Sequence, residues 1–436
     1  MSPTPTSRNG PKPILSAVLE DGVLVETIYR PKTGKTALLR YDRGEISEHD
    51  TLSLPRLGRV APYAATNNLL EHRVLLLPSS ATECGTVTEL LSEVRAFIHR
   101  YADLGDSFEE AASLYVLLSW VYDAFSELPY LRLKGDYGSG KTRCLQTIGS
   151  VAYKPMFASG ASTVSPLFRM LDSIEGTLVL DESDFRFSDE RAEITKILNN
   201  GNARGFPVLR SEATPQKEFN PTAFNVFGPK IIATRKSFED RALESRCITE
   251  AMSGRPPRAD IPLNLPPAFH EEALEIRNRL LMYRFRMRNA LPSVSVAIDE
   301  YLEARVAQVF APLLAVAPDE NTRERMRDLA RRTSGELSAE RSASVEAQVL
   351  GIIHEMDRDG VPLRVKDIAA RFSERHGSDY RHEVSARWIG AQLRGRLSLT
   401  PVKSHGTFVI PDSDRPRLAD LYERYSVGGM PPDDGG

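Results

Sequence analysis

The spacing of apolar positions changes several times along this chain. From Leu15 to about Tyr63, apolar residues fall in short β-rich runs that include Val18, Val23, Val25, Ile28 and Tyr29. Turns at Asp21-Gly22 and Thr33-Gly34 break these runs, so the pattern predicts a small antiparallel β unit. A helical period then takes over. Thr86 to Tyr101 sets Leu90, Leu91, Val94, Phe97 and Ile98 on one face, and Ser107 to Phe125, with Ser107 as the expected N-cap, is apolar enough to be buried. Strand and helix signals alternate next: strands at Tyr130–Leu133, Pro155–Ala158, Thr177–Leu180 and Lys230–Ala233, and helices at Lys141–Val151, Ser165–Leu171 and Ile194–Asn199. Short connections between such elements imply a parallel sheet covered on both faces, an α/β fold. Pro266 to Ala317 reads as helical. From Val345, three helices and the strand-like pair SLTPVKS and GTFVIP describe a winged helix-turn-helix.

Composition adds exclusions more than assignments. The 436 residues carry 56 Lys and Arg against 59 Asp and Glu, for a formal charge of -3. No apolar run approaches the roughly 18 residues that span a bilayer, and the N-terminus lacks the apolar core of a secretory signal. Cys84, Cys144 and Cys247 are isolated and form no CxxC pair, which fits a reducing cytoplasm and argues against a disulfide framework or a cysteine zinc site.

The strongest chemistry lies in Gly135-Asp136-Tyr137-Gly138-Ser139-Gly140-Lys141-Thr142, which fits GxxxxGK[ST] between a strand and a helix. Arg143 follows it directly. Glycines let backbone N–H groups wrap phosphate oxygens at a helix N-terminus. Lys141 would reach the β- and γ-phosphates, and Thr142 would ligate Mg²⁺. A second GKT, within Thr33-Gly34-Lys35-Thr36, lies between β runs and reads as a hairpin turn. Forty residues after Lys141, an apolar strand ends in Asp181-Glu182, the pattern of a Walker B segment. Asp181 would hold Mg²⁺ and Glu182 would polarise the attacking water, with ATP favoured over GTP. Lys230-Ile231-Ile232-Ala233-Thr234 ends a strand on a hydroxyl that would reach the γ-phosphate or the water; a plain strand-terminal Thr is the alternative. Arg246, in Ala242-Leu243-Glu244-Ser245-Arg246-Cys247, is placed to act as an arginine finger on a neighbouring subunit, with Arg241 as competitor and a surface salt bridge as the plainer reading.

The ordered set GDYGSGKT, TLVLDE, PKIIAT and ALESRC resembles AAA+ ATPases, and more narrowly the helicase-like AAA+ proteins of plasmids, phages and integrated elements related to minichromosome-maintenance (MCM) helicases. The resemblance covers about residues 85–425. It implies an AAA+ P-loop core with helical lead-in (85–255), a helical lid and linker (256–344) and a winged helix (345–427). A β-rich unit (14–84) precedes these, with disordered ends at 1–13 and 428–436. It implies ATP and Mg²⁺, a homo-oligomeric, hexameric ring and a DNA partner. It also implies a sensor arginine from the lid, for which Arg305 is the choice and Arg277 and Arg279 the alternatives. Cys247 stands where the related motif has Phe, and Thr234 where it often has Asn.

Between the acidic strand and Thr234, a hairpin insertion is expected around the polar turn SEATPQ. In MCM-type and superfamily 3 rings an equivalent hairpin carries basic residues into the pore, which makes Arg204, Arg210 and Lys217 the candidate phosphate grips. A basic surface loop is the alternative. Between Val361 and Ile410, nine Lys and Arg face four Asp and Glu, an excess of five positive charges. Arg387, Gln392 and Arg394 on the expected recognition helix, with Lys403 and His405 on the wing, would face DNA, and Trp388 would sit in the core. The reading is a DNA helicase or translocase. An initiator or loader that uses ATP as a switch is the alternative, and any primase or polymerase would be a separate chain.

Overall fold

The computed structural model describes residues 10–427 apart from 161–162, 182–187, 214–218, 239, 253, 255, 292–301, 343, 378–383 and 405. Glu182, Lys217 and His405 therefore lie outside the described residues. The chain divides into two compact units, Met1–Ala330 and Arg331–Gly436. Among the described residues no helix is long and apolar enough to cross a membrane.

Seven strands open the first unit: β1 (Lys12–Ile14), β2 (Ser16–Val18), β3 (Leu24–Arg30), β4 (Lys35–Asp42), β5 (Glu45–His49), β6 (Leu52–Leu54) and β7 (Gly58–Pro62). Strands β2 to β5 form an antiparallel meander. Thr33-Gly34 turns between β3 and β4, with Gly34 at φ 60° and Thr36 paired to Tyr29, so the second GKT is a hairpin. The unit is not antiparallel throughout, as the pattern predicts, because β1 pairs parallel to β7. The long excursion through β2 to β6 lets the chain return in its starting direction, which a tight turn cannot do.

Helices α1 (Asn68–Glu71), α2 (Val87–Tyr101) and α3 (Asp106–Trp120) follow. Thr86 and Glu89 close a reciprocal capping box on α2, and its predicted apolar face is buried. Ser107 is not the cap of α3. Gly105 takes that position, its N–H donating to Glu250 at 2.9 Å, and Ser107 lies in the first turn.

The central sheet comprises β8 (Tyr130–Lys134), β9 (Met156–Ser159), β10 (Leu178–Asp181), β13 (Lys230–Thr234) and β14 (Cys247–Ala251), in the order β14-β8-β13-β10-β9. All four pairings are parallel. Between these strands run α4 (Lys141–Val151), α5 (Val164–Ile174), α6 (Ser188–Asn200), the antiparallel hairpin β11 (Val208–Ala213) and β12 (Phe219–Phe224), and α7 (Arg241–Glu244). Alternation along each strand supplies two faces. Leu178, Leu180 and Ile232 are buried with Phe168, Ile194 and Ile197. Val179 lies on the other face, where a Cβ on Gly149 of α4 would come 2.9 Å from its Cγ2, so only glycine permits that approach.

Helices α8 (Ala268–Met287), α9 (Ala304–Val316) and α10 (Glu320–Ser342) complete the unit, α10 running past its boundary. Arg284 of α8 is only 2% exposed. It donates to Glu26 of β3 at 2.6 Å and to Asp123 at 2.8 Å, and its guanidinium lies over the Tyr153 ring. Lys154 reaches Ser16 of β2 at 2.8 Å, and burial pushes its amine down to about 8. Lys230 donates to the carbonyls of Gly201, Val226 and Gly228. Arg284 and Lys154 thereby tie the N-terminal strands to α8 and to the segment leading into β9, while Lys230 gathers the loops before β13.

In the second unit, α11 (Val345–Arg358), α12 (Val365–His376) and α13 (Ala386–Gly395) are followed by the antiparallel pair β15 (Val402–Ser404) and β16 (Thr407–Val409), then α14 (Arg415–Arg424). Leu350, Ile353, Ile368, Phe372, Ile389 and Leu393 form its core. Trp388 packs against Phe372, on the core side as the sequence reading has it.

Asp123 is pulled down to about 2, because the charges of Arg284 and Arg288 outweigh the burial that would raise it. The unfolded carboxyl titrates near ~3.9, so the native state holds fewer protons in this range. The stabilisation is complete above about pH 5 and is lost as pH falls through 2; its size is roughly 2–3 kcal/mol. Asp123→Asn should lower the unfolding free energy of the first unit and remove this part of its acid limb. Calorimetry between pH 2 and 7 checks both.

Candidate active site

The parallel register brings the carboxyl ends of β8, β10 and β13 to one edge, where ligands of such sheets are held. Gly135 leaves β8 with its N–H donating to the Thr234 carbonyl at 3.1 Å, while the Met252 N–H donates to Lys134 at 2.7 Å. A Cβ on Gly135 would lie 2.6 Å from the Met252 carbonyl, so the loop leaves the sheet through a gap only glycine fits. Gly138 and Gly140 take φ of 72° and 88°, and Gly140 is the residue before α4. These conformations, open to glycine, let the loop turn into the N-terminus of α4, where backbone N–H groups without helical partners favour anions.

Within the loop, Lys141 Nζ donates to the carbonyls of Gly135 at 2.5 Å and Asp136 at 2.6 Å. Thr142 Oγ1 donates to Asp181 Oδ2 at 2.7 Å, joining the first turn of α4 to the end of β10. Thr234 is fully buried, and its Oγ1 has no hydrogen-bond partner among the described residues. A buried hydroxyl left unpaired is costly, and here it faces the same cavity as Lys141 and Thr142. Lys141, Thr142, Asp181, Thr234 and Arg235 line one cavity of about 320 Å³. Among the described residues no cluster of three or more His, Cys, Asp or Glu is placed to hold a metal. The Thr142–Asp181 pair nevertheless fits a small hard cation that completes its shell with water and phosphate oxygens.

A second cavity, of about 580 Å³, adjoins the loop at Gly138–Gly140. Its other walls include Tyr101, Asp103, Glu250 and the segment after β14. Arg143 anchors that segment, donating to the carbonyls of Pro262 at 3.0 Å and Leu263 at 2.7 Å. Arg258 holds its other end, its backbone N–H donating to Asp103 at 3.2 Å. The Pro-rich run RPPRADIPLNLPP signals such a segment, but nothing in the spacing says that it folds against the loop.

Other expected residues lie elsewhere. Arg246 directly precedes β14, at the opposite end of the sheet. Cys247 pairs with Tyr130, so the start of the loop lies about 20 Å away along the strands. Arg246 Nη1 donates to Asn199 at 2.8 Å, and Asn199 donates to Asp240. Arg305 sits in the first turn of α9 and lines neither cavity. Arg277 is buried, donating to the carbonyls of Leu77 and Ser150, and burial pushes it down to about 9. Arg279 pairs with Glu93 at 2.8 Å. Arg204 donates to the carbonyls of Phe125 and Asp123 and lies over Phe227. Arg210 lies over the Phe168 ring, 3.5 Å from Glu193. Arg387, Arg394 and Lys403 are exposed. Arg132, midway along β8, is a buried structural cation that pairs with Glu244, the acid of the ALESRC run.

Fold and site together define a five-stranded parallel α/β sheet with a glycine-rich loop at its carboxyl edge. No known family model and no curated protein matches the chain. Solved structures similar to it include "SCCmec type IV Cch - active helicase", at 14% identity and TM-score 0.32, covering 79% of each chain. The NrS-1 C-terminal region shows 9% identity and TM-score 0.35, covering 88% of this chain and 95% of that one. A full-length MCM homolog from Methanopyrus kandleri shows 12% identity and TM-score 0.36, covering 75% of each chain. Likenesses this distant leave the class of the fold to the strand order and the site geometry.

Replacing the unpaired Thr234 hydroxyl by a methyl keeps the volume and removes the buried polar atom. Thr234→Val should therefore raise the stability of the ligand-free protein by about 1 kcal/mol. Denaturant or thermal unfolding measures this, and a clear loss of stability would show that the hydroxyl has a partner.

Proposed function

We propose that this chain hydrolyses ATP and uses the cycle to move or unwind DNA as a ring of identical subunits, a hexamer in the reading that the sequence motifs favour. The observation that carries the proposal is the hydrogen bond between Thr142 and Asp181 beside Lys141 and the unpaired Thr234 hydroxyl. In this reading Lys141 exchanges its two loop carbonyls for the β- and γ-phosphates. Thr142 and Asp181 hold Mg²⁺, which when bound neutralises charge on the phosphate oxygens. Thr234 donates to the γ-phosphate or orients the attacking water, and Glu182 accepts that water's proton. The larger cavity takes the nucleobase, with Arg143 fixing its wall.

The ring is supported by Arg246, which stands at the sheet end remote from its own loop and so would serve a neighbour's. The DNA reading is supported by Arg387 and Arg394 exposed on α13 and Lys403 exposed on β15, with α11 to α13 and the β15–β16 pair read as a winged helix. Arg204, Arg210 and Lys217 are the candidate phosphate contacts at the hairpin in this reading, Arg204 and Arg210 exchanging the contacts they make within the chain for phosphate oxygens.

The test is ATP hydrolysis and strand separation on a forked duplex. Wild type should show both, and Lys141→Ala and Arg246→Ala should each lose hydrolysis by about a thousandfold. Mixing the two variants should restore hydrolysis above the sum of the pair, since some interfaces regain an intact Lys141 and an intact Arg246. Hydrolysis without strand separation by wild type would favour the switch-like loader, and a wild type without hydrolysis would refute the proposal.

A further inference from the structure

Arg235 follows Thr234 directly, so it leaves β13 at the same edge of the sheet as the glycine-rich loop. Its guanidinium carbon lies 3.7 Å from the ring centroid of Tyr137, in that loop. Tyr137 is 70% exposed, a large aromatic surface to leave in a loop. Both residues line the cavity that also holds Lys141, Thr142, Asp181 and Thr234. A guanidinium stacks through its face, while its N–H donors lie in its plane, so one arginine can keep an aromatic contact and present a fork to an anion. Lys141 lies along the loop on the Gly135 and Asp136 carbonyls. Arg235 therefore brings a second cation to the cavity from the neighbouring strand.

We propose that Arg235, steered by the Tyr137 ring, is a binding residue of the same subunit for the terminal phosphate of a nucleoside triphosphate. The inference rests on the ATP reading above and adds that the subunit itself distinguishes triphosphate from diphosphate. The terminal phosphate carries the extra charge, and a planar fork meets two of its oxygens at once. Tyr137 keeps the fork at the cavity mouth and limits the side-chain freedom lost on binding.

Isothermal titration of the full chain with ADP and with a non-hydrolysable ATP analogue, each with Mg²⁺, tests this. Arg235→Ala should weaken the analogue about tenfold or more and ADP less than about twofold, a tenfold loss being about 1.4 kcal/mol. Arg235→Lys keeps the charge without the fork and should fall between alanine and wild type. Tyr137→Phe should retain discrimination, and Tyr137→Ala should lose part of it. Equal weakening of both nucleotides, or no weakening of either, would overturn the assignment. Wild type binding neither nucleotide would instead refute the ATP reading itself, which separates the two failures.

Discussion

The hydrogen bond from Thr142 to Asp181 joins two elements that meet only because three strands run parallel in one register. Asp181 ends β10, Thr142 begins the helix that follows β8, and β13 lies between those strands. A one-residue slip of β10 would turn its side chains to the other face of the sheet and withdraw the carboxylate from the loop. The site therefore depends on the packing that fixes this register. That packing includes Leu178, Leu180 and Ile232 on one face and, on the other, the close approach of α4 that Gly149 permits. The chemistry of a few polar groups is held by a much larger apolar constraint.

Buried charge supplies the second constraint. Arg132 on β8 pairs with Glu244, and Arg284 joins α8 to β3 through Glu26 and to Asp123. Pairs of this kind cost desolvation, and breaking one leaves an uncompensated charge, so they fix position more than they add net stability. Here they tie the segments around the sheet to it, and through Glu244 they fix the turn that carries Arg246. The near balance of charges in the whole chain conceals these internal pairs as well as the basic stretch between Val361 and Ile410.

Much of this was legible in the sequence because it is local. The glycine pattern before Lys141, the apolar run ending in Asp181 and the apolar face of the helix from Thr86 to Tyr101 each depend on residues a few positions apart. The hairpin turn at Gly34 was legible for the same reason. What escaped is set by distant partners. The cap at Gly105 displaced Ser107, and its N–H meets a glutamate on β14. The parallel pairing of β1 and β7 joins residues far apart in sequence. Arg210 carries the charge expected of a phosphate grip, but its guanidinium packs on Phe168, a position no hydropathy pattern reveals. Arg235 belongs to the same class: its neighbour in the chain is read easily, while its contact with Tyr137 exists only in the folded loop.

The central claim is that Lys141, Thr142, Asp181 and Thr234 form one phosphate and metal site. The most direct measurement is a crystal structure of the full chain with Mn²⁺ and a non-hydrolysable ATP analogue, with the metal located by its anomalous signal. The account expects the ion on Thr142 and Asp181, their mutual hydrogen bond opened, and the terminal phosphate bonded to Lys141 Nζ and Thr234 Oγ1. A nucleotide bound with the Thr142–Asp181 bond intact, or an ion held away from both residues, would contradict it.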